Sequence, residues 1–250
     1  MDYQLPNEVK IILDKFQKAN YQIYIVGGAV RDLLMEKGVK DWDFTTDAKP
    51  EEILKVIPAG FYDNKFGTVG IPVKTTSKVG SDSFEVYEIT TMRKEGVYKD
   101  LRHPTEVAWT NKIVEDLARR DFTINAIALS PDGKIVDPFY GQEDLQNKLV
   151  RAVGDPNTRF QEDALRLIRA IRFASQLEFD IDEKTFQAVQ KNAHFLNQIA
   201  WERIRDELLK ILASANPYIN IIKLREAGIL QIILPELERC FGIKQEGPKH

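Results

Sequence analysis

The sequence predicts an α+β protein in which a head of mixed strands and helices is followed by an all-helical part. Short β-rich runs alternate with amphipathic segments as far as about residue 145, and beyond it only helical periodicity continues. The composition, 43% hydrophobic and 29% charged over 250 residues, is that of an ordinary globular protein. We expect domain boundaries that give a head over residues 1–145, a helical neck over 146–210 and a further helical part over 211–250.

Local signals predict each element of the head in turn. An apolar stripe at helical spacing predicts the first helix, and a β-rich run that ends in two glycines predicts the first strand. Pro50 followed by two glutamates is typical of the first turn of a helix. The predicted elements are helices over 8–18, 29–36 (ended by Gly38) and from 49, strands over 21–26, 42–45, 66–73 and 83–91, and a segment over 113–129 that leads to a Pro-Asp-Gly turn.

The rest of the chain predicts helices and one loop. The polar, charged and glycine-containing segment RKEGVYKDLRHP, Arg93 to Pro104, indicates a mobile loop. Beyond the head, apolar periodicity predicts helices over 160–177, 183–193, 201–213 and 219–227.

Composition also excludes several classes of protein. The single cysteine, Cys240, rules out an internal disulfide, and no Cys or His spacing suggests a zinc site. No uncharged apolar run approaches the roughly 20 residues of a membrane span, and no signal peptide is evident, so we expect a cytoplasmic protein without a membrane partner. The net charge of −3 argues against general coating of nucleic acid. Five arginines between Arg151 and Arg172 nevertheless favour local, fork-like hydrogen bonding.

The most informative pattern is the pair Gly27-Gly28 followed by Asp41-Trp42-Asp43. Residues i and i+2 of a strand point to the same face, so Asp41 and Asp43 are expected side by side. Paired carboxylates beside a glycine turn suit Mg²⁺-assisted chemistry on a nucleoside triphosphate. Taken alone, the glycines could also be a plain turn and the aspartates a solvated strand edge. The sequence contains neither GxGxxG nor GxxxxGK[ST], which excludes the dinucleotide and P-loop motifs.

Two further charged patterns also have ordinary structural explanations. Arg119-Arg120-Asp121 could be an ion pair at a helix end, and Glu162-Asp163 with Arg166 could be a surface pair one helical turn apart. Neither pattern decides the function by itself.

The order of the motifs is more specific than any one of them. The chain resembles the class II tRNA nucleotidyltransferases, the family of CCA-adding enzymes and bacterial poly(A) polymerases, through seven ordered motifs: GGAVRD, DWD, EVYEITTMR, RRDFTINAIAL, DPFYGQEDL, EDALRLIRAIRF and ERIRDELLKIL. The resemblance covers nearly the whole chain. It implies a polymerase-β-like nucleotidyltransferase head that is catalytic, a neck that selects the nucleotide base, and the start of a helical body.

The resemblance assigns roles in the head. Asp41 and Asp43 are implied to hold two Mg²⁺ ions, and Glu88 is implied to supply the third carboxylate. Glu85 is the alternative, but three residues before Glu88 in a strand it would point to the opposite face. The glycines Gly27 and Gly28 would let backbone N–H groups approach the phosphates, which Arg31 would also contact.

A second and a third motif of the head also match. The RRDFTINA motif is implied to read the ribose and triphosphate, with Arg120 in direct contact; its matching residues are Arg119, Arg120, Asp121 and Asn125. The residues Asp137, Gly141 and Asp144 match the family's hinge between head and neck.

The fourth motif is implied to choose the incoming base. A carboxylate on Asp163 can accept from an exocyclic amino group while Arg166 donates to a ring acceptor, which admits cytosine and adenine and rejects uracil and guanine. On an ideal helix Arg172 lies roughly opposite Asp163. Arg169 and Arg172, nucleotide-binding arginines by resemblance, are therefore expected to reach phosphate, a neighbouring helix or RNA.

The activity implied is template-independent addition of CMP and AMP to the tRNA 3′ end, from CTP and ATP, with Mg²⁺ and release of pyrophosphate. Within the family, a long loop such as Arg93–Pro104 accompanies the ability to add A. The chain stops soon after the body begins, so we expect it to be either truncated or an unusually short member, with weakened binding of tRNA. The alternatives are a poly(A) polymerase with the same head, or a nucleotide- or RNA-binding domain without turnover. The sequence predicts no oligomeric state.

Overall fold

The computed structural model describes residues 3–62, 67–76, 82–95 and 107–243. These residues form two compact units, the first ending at Asn147 and the second beginning at Lys148. We call them the sheet unit and the helical unit. Among the described residues, no helix is long and apolar enough to cross a membrane.

The sheet unit is built on a seven-stranded mixed sheet. Its strand order is β3-β4-β5-β2-β1-β8-β9, and β2 runs parallel to β5 whereas the other described neighbours are antiparallel. A separate antiparallel pair joins β6 to β7. The strands are β1 (Ile23–Val26), β2 (Asp43–Thr46), β3 (Phe61–Tyr62), β4 (Thr68–Thr76), β5 (Asp82–Thr91), β6 (Arg93–Glu95), β7 (Val107–Trp109), β8 (Ala128–Leu129) and β9 (Ile135–Val136).

Helices cover one face of this sheet because the inward-facing strand residues are apolar. Val69, Ile71 and Val73 of β4, and Tyr87 and Ile89 of β5, alternate toward one buried core that also takes in the apolar stripe of the first helix. The helices of this unit are α1 (Asn7–Lys18), α2 (Gly28–Leu34), α3 (Pro50–Val56), α4 (Ile113–Ala118) and α5 (Gly141–Gln146), with a 3₁₀ turn at Thr123–Asn125.

The helical unit packs around α7, whose residues are buried along most of its length. Its helices are α6 (Pro156–Glu162), α7 (Leu165–Leu177), α8 (Glu183–Asn192), α9 (Trp201–Leu212), α10 (Pro217–Glu226), α11 (Leu230–Ile233) and α12 (Pro235–Glu238), with a 3₁₀ segment at Ala193–Gln198.

The α+β class is confirmed, and three details need correction. Strands do not stop near residue 145, because β10 (Leu149–Val150) and β11 (Asp180–Ile181) form a parallel pair in the helical unit. The expected helix over 160–177 is two helices, broken at Asp163, whose backbone is extended. Helix α2 ends at Leu34 rather than near Gly38, and Glu36 beyond it has φ of 55°.

The predicted loop at Arg93–Pro104 begins differently from expectation. Its first three residues, Arg93–Glu95, are β6 and pair with β7. The remaining residues of that prediction, 96–104, lie outside the described part of the chain. Residue 66, at the start of one predicted strand, also lies outside it.

Candidate active site

Two carboxylates face each other across the parallel pair β2 and β5. Asp43 opens β2 and lies directly opposite Glu88 of β5 in the strand register, so both side chains project from the same face. The backbone N–H of Glu88 donates to the carbonyl of Trp42 at 3.2 Å, which holds this register. Glu85 falls at the other parity of β5, as expected.

Asp41 lies just before the strand rather than within it. The residue is exposed in a bend, and buried Trp42 separates it from Asp43. The strand geometry expected for the Asp41/Asp43 pair therefore applies only to Asp43. Asp41 is nevertheless close enough to act electrostatically on the carboxyl group of Asp43.

The surroundings of Asp43 make its carboxyl group harder to ionise. Burial raises the pKa of its carboxyl group to about 6; the Arg120 guanidinium opposes that shift, whereas the carboxylates of Glu88 and Asp41 reinforce it. A carboxyl group with so high a pKa lacks enough nearby positive charge to balance its ionised form. The arrangement suits a cation bound between the carboxylates.

The donor set suits a divalent metal that binds hard oxygen ligands and does not need a complete protein cage. Within the described ranges, no three Asp, Glu, His or Cys side chains converge into a preformed metal cluster. Mg²⁺ normally takes only one or two carboxylates from the protein and fills its remaining positions with water and substrate phosphate oxygens. Asp43 with Asp41, backed by Glu88, is a set of hard oxygen donors of that kind.

Gly27 provides an open space beside these carboxylates. It joins β1 to α2 with φ of 68° and ψ of −133°, a conformation that strongly favours glycine. A Cβ atom built on it would lie 3.0 Å from Nη1 of Arg120 and 3.8 Å from Oδ2 of Asp43. The missing side chain therefore leaves backbone, guanidinium and carboxylate facing the same space.

The fold joins the glycine motif to the RRDFTINA motif through Arg31. Its Nη1 donates to Oδ1 of Asn125 at 2.9 Å, and its Nη2 lies 2.8 Å from the carboxylate of Asp32. The amide of Asn125 in turn donates to Asp121 at 3.2 Å. The two motifs, distant in sequence, thus form one hydrogen-bonded network.

Arg120 is held by a carboxylate that sequence reasoning missed. Asp116 on α4 is fully buried, and its two oxygens lie 3.0 Å from Nε of Arg119 and 3.4 Å from Nη2 of Arg120. The backbone N–H of Arg93 also donates to it. Burial raises the pKa of this carboxyl group, but the two guanidinium groups outweigh burial and the net shift is downward. Asp116 precedes Arg119 by three residues and Arg120 by four, a spacing typical of ion pairs on one helix face, so the sequence did contain a signal for this contact.

The third motif packs against the second. The carboxylate of Asp137 accepts from the backbone N–H of Gly141 at 2.7 Å, and that of Asp144 accepts from the Thr123 hydroxyl at 2.6 Å. A Cβ atom on Gly141 would lie 2.2 Å from the Thr123 carbonyl oxygen, so close packing is sufficient reason for glycine there. The hinge role of Asp137, Gly141 and Asp144 stays a prediction.

In the helical unit, Glu162 rather than Asp163 pairs with Arg166. Its carboxylate lies 2.7 Å from both Arg159 and Arg166, and Nη1 of Arg166 also donates to the carbonyl of Arg159. Arg166 is only 8% exposed, so the pair fixes its guanidinium in one orientation.

Asp163 occupies the break between α6 and α7. Its Oδ1 accepts from the backbone N–H of Leu165 at 3.1 Å, and its Oδ2 lies 3.4 Å from Arg203. We expected Asp163 and Arg172 to lie on opposite sides of one continuous helix. That expectation is wrong, because Asp163 has an extended backbone and lies outside α7. The partnership with Arg203 crosses to α9, and no spacing in the sequence pointed to it.

Arg172 contacts a neighbouring helix, one of the three outcomes expected for it. It forms an ion pair with buried Glu207 of α9, donates to Gln176 at 2.7 Å and stacks on the Phe173 ring at 3.9 Å. The guanidinium of Arg169 lies 5.2 Å from the same ring. The nucleotide-binding role of both arginines stays a prediction.

Two family models match the chain. One, described as the poly A polymerase head domain, matches residues 23–151. The other, described as a probable RNA and SrmB-binding site of polymerase A, matches residues 178–241.

The curated relatives most similar in sequence include several CCA-adding enzymes. The CCA-adding enzyme of Lactobacillus helveticus is 48% identical over 204 residues, which are 80% of this chain and 48% of that protein. The CCA-adding enzyme of Enterococcus faecalis is 41% identical over 247 residues, 97% of this chain and 57% of that protein. The chain thus spans about half the length of the curated relatives it matches.

Solved structures of similar fold include nucleotide and tRNA complexes. The Bacillus stearothermophilus CCA-adding enzyme in complex with CTP superposes with a TM-score of 0.78 at 36% identity, covering 89% of this chain and 52% of that one. The Thermotoga maritima CCA-adding enzyme complexed with tRNA_CCA gives a TM-score of 0.74 at 25% identity, covering 93% and 54%.

Proposed function

Because the chain belongs to the poly A polymerase head-domain family, we propose that it is a template-independent nucleotidyltransferase that adds CMP and AMP to the 3′ end of tRNA. The family predicted from the seven motifs is confirmed. The observation that carries the activity is that Arg120 and Asp43 face the same space at Gly27, with Glu88 directly opposite Asp43 in the strand register. CTP and ATP as substrates are supported by similar CCA-adding enzymes solved in complex with CTP and, at 28% identity and a TM-score of 0.75, with ATP.

The reaction joins the RNA 3′-oxygen to the α-phosphorus of the nucleotide and breaks the bond from that phosphorus to pyrophosphate. Asp41 and Asp43 are the residues proposed to hold Mg²⁺, with Glu88 as the third carboxylate. Bound Mg²⁺ lowers the pKa of an attacking hydroxyl and neutralises charge on a leaving pyrophosphate. No residue of this site needs to act as a covalent nucleophile.

The cationic groups of the sheet unit suit a triphosphate. Arg120 has a buried Nε for which no hydrogen-bond partner exists among the described residues, while its Nη1 faces the space at Gly27. A guanidinium held by Asp116 and still offering donors can bind phosphate oxygens without first being ordered. Arg31, fixed by Asn125, is the second proposed phosphate contact, and Gly27 and Gly28 let the backbone come close.

The helical unit is proposed to select the base. Arg166 is fixed by Glu162 and can donate to a ring acceptor, and the remaining lone pairs of the Asp163 carboxylate oxygens can accept from an exocyclic amino group. Cytosine and adenine present that pattern, whereas uracil and guanine present its reverse. Because both side chains are already held by protein partners, discrimination follows from fixed geometry rather than from a nucleic-acid template.

One experiment tests the proposal directly. The protein is incubated with Mg²⁺, labelled CTP and then ATP, and a tRNA that lacks its 3′ end. Addition that stops after three nucleotides supports the proposal, whereas a long A tail indicates a poly(A) polymerase. Nucleotide binding without any product would show that the 250-residue chain is a binding domain only. Replacing Mg²⁺ by EDTA should abolish addition while leaving the fold intact.

A further inference from the structure

An exposed aromatic ring lies in the same row of the sheet as the catalytic carboxylates. Across β2, β5, β4 and β3 the register pairs Asp43 with Glu88, Glu88 with Gly70, and Gly70 with Phe61. Residues paired in this way project from one face of a sheet. Adjacent strands are separated by about 4.8 Å, so Phe61 lies two strands, or about 10 Å, from Glu88 along that face.

The absence of a side chain at Gly70 makes room for this ring. A Cβ atom on Gly70 would lie 2.5 Å from Cζ of Phe61 and 3.0 Å or less from both Cε atoms. The phenyl ring therefore covers the strand between its own position and Glu88, instead of turning away from the sheet. It remains 45% exposed in the described structure.

The same face continues as an apolar surface away from the carboxylates. Val86 is 52% exposed opposite Pro72, and Phe84 is 70% exposed opposite Lys74. We call Phe61, Pro72, Phe84 and Val86 the Phe61 patch. An antiparallel sheet with one buried face normally presents polar residues on its other face. A contiguous apolar surface beside a catalytic site instead marks a place where a partner binds.

We propose that the Phe61 patch stacks the terminal bases of the RNA whose 3′-hydroxyl is extended, an inference that rests on the proposed function. The attacking hydroxyl must lie at the carboxylates. The nucleoside that carries this hydroxyl can extend across the roughly 10 Å between Glu88 and Phe61. Phenyl rings stack on any base, which suits an RNA end whose last base changes with each addition. Exposed Lys74, in the row of Phe84, provides a cation for the RNA backbone.

Binding of an RNA minihelix with 2-aminopurine at its 3′ end tests this proposal without turnover. Stacking on Phe61 should change the fluorescence of the wild-type complex, and Phe61→Ala should abolish that change and weaken binding about tenfold. Phe61→Trp should retain both the fluorescence change and the affinity for the minihelix. Gly70→Ala, which displaces the ring without removing it, should reproduce the loss. In the transfer assay Phe61→Ala should raise the KM for RNA while the KM for CTP stays the same.

Tyr62 supplies the matched control. It is 51% exposed and adjacent to Phe61, but pairs with Val69 and so belongs to the opposite face. Tyr62→Ala should leave fluorescence and affinity unchanged, and equal thermal melting of both alanine variants excludes unfolding. Unchanged fluorescence in Phe61→Ala, or equal affinity for a minihelix with an abasic 3′ end, would overturn the proposal.

Two further outcomes separate this proposal from others. If the wild type shows stacking but no transfer, the proposed activity fails while the RNA-binding role of the patch stands. If sedimentation shows that Phe61→Ala dissociates a dimer while RNA binding persists, the patch is a contact between copies and the proposal is wrong.

Discussion

Asp43 and Glu88 occupy directly opposed positions on two parallel strands, although α3, β3 and β4 separate them in the chain. The parallel pairing is what brings the second carboxylate to the first, because a hairpin connection would have placed β5 antiparallel to β2. Burial is the main cause of the raised pKa of Asp43, and the Glu88 carboxylate opposite it adds to the shift.

Removing any of the three carboxylates should slow nucleotide transfer far more than it weakens nucleotide binding. We expect Asp43→Asn and Asp41→Ala to abolish nucleotide addition, and Glu88→Gln to slow it about 100-fold, because the cation that would balance charge on the reacting phosphate loses a carboxylate that holds it. Nucleotide affinity measured by calorimetry should fall much less, since Arg120 remains in place. Glu85→Gln, on the other face of β5, is the control and should leave the rate near wild type.

The pKa of Asp43 predicts a pH dependence of stability without metal. Its pKa of about 6 in the folded state exceeds the ordinary 3.8. The folded state therefore binds the proton more tightly than the unfolded state does, and the protein loses stability as the pH rises from about 4 to about 6. Asp43→Asn has no charge to bury and should be more stable than wild type above pH 6, by about 3 kcal/mol. The gain should vanish near pH 4. Urea unfolding at both pH values in EDTA measures it, and a pH-independent difference would contradict the prediction.

The buried carboxylate of Asp116 should position Arg120 for the triphosphate. We expect Asp116→Asn to raise the KM for CTP and ATP about tenfold through misplacement of Arg120, with a smaller effect on kcat. Stability should also fall by about 3 kcal/mol, because two guanidinium groups lose a buried partner. Glu115→Gln, at the adjacent and more exposed position, should change neither KM. A loss of stability without a change in KM would limit Asp116 to a structural role.

Gly141 should tolerate no side chain. We expect Gly141→Ala to lower the free energy of unfolding by about 3 kcal/mol, because the new Cβ would overlap the carbonyl oxygen of Thr123. Gly38→Ala is the matched control, since a Cβ there meets no atom within 4 Å, and it should be neutral or slightly stabilising. Thermal and urea unfolding of the two variants measure the difference. Equal stability would show that the backbone near Gly141 relaxes freely.

Substitutions in the helical unit should alter base choice rather than the rate of transfer. We expect Arg166→Lys and Asp163→Asn to raise UTP or GTP incorporation relative to CTP and ATP by about tenfold, since each loses one hydrogen bond of the discriminating pair. Glu162→Gln should have a similar effect by releasing Arg166. Arg205→Lys, an exposed arginine on α9, serves as the control. Competition assays with mixed nucleotides measure the ratio of UTP or GTP incorporation to CTP and ATP incorporation. An unchanged ratio would show that Asp163 and Arg166 do not select the base.

Sequence patterns were most informative where contacts are local. The apolar stripe of α1, the proline start of α3 and the strand that runs to Gly27 were all predicted, because each depends on residues within one or two turns. The family resemblance favoured Glu88, strand parity argued against Glu85, and the register agrees with both. The break at Asp163 escaped prediction, since helical periodicity continues through it and only the cap on Leu165 reveals it.

The sequence by itself determined the α+β class, the family and the residues that its motifs mark. Only the tertiary structure decided which of them meet. Pairing of Asp43 with Glu88, of Arg31 with Asn125 and of Arg172 with Glu207 joins segments far apart in the chain. Such contacts follow from strand order and from the burial of a shared core, which local spacing does not encode. The Phe61 ring over Gly70 is of the same kind, because a sheet register, and no motif, places it beside the carboxylates.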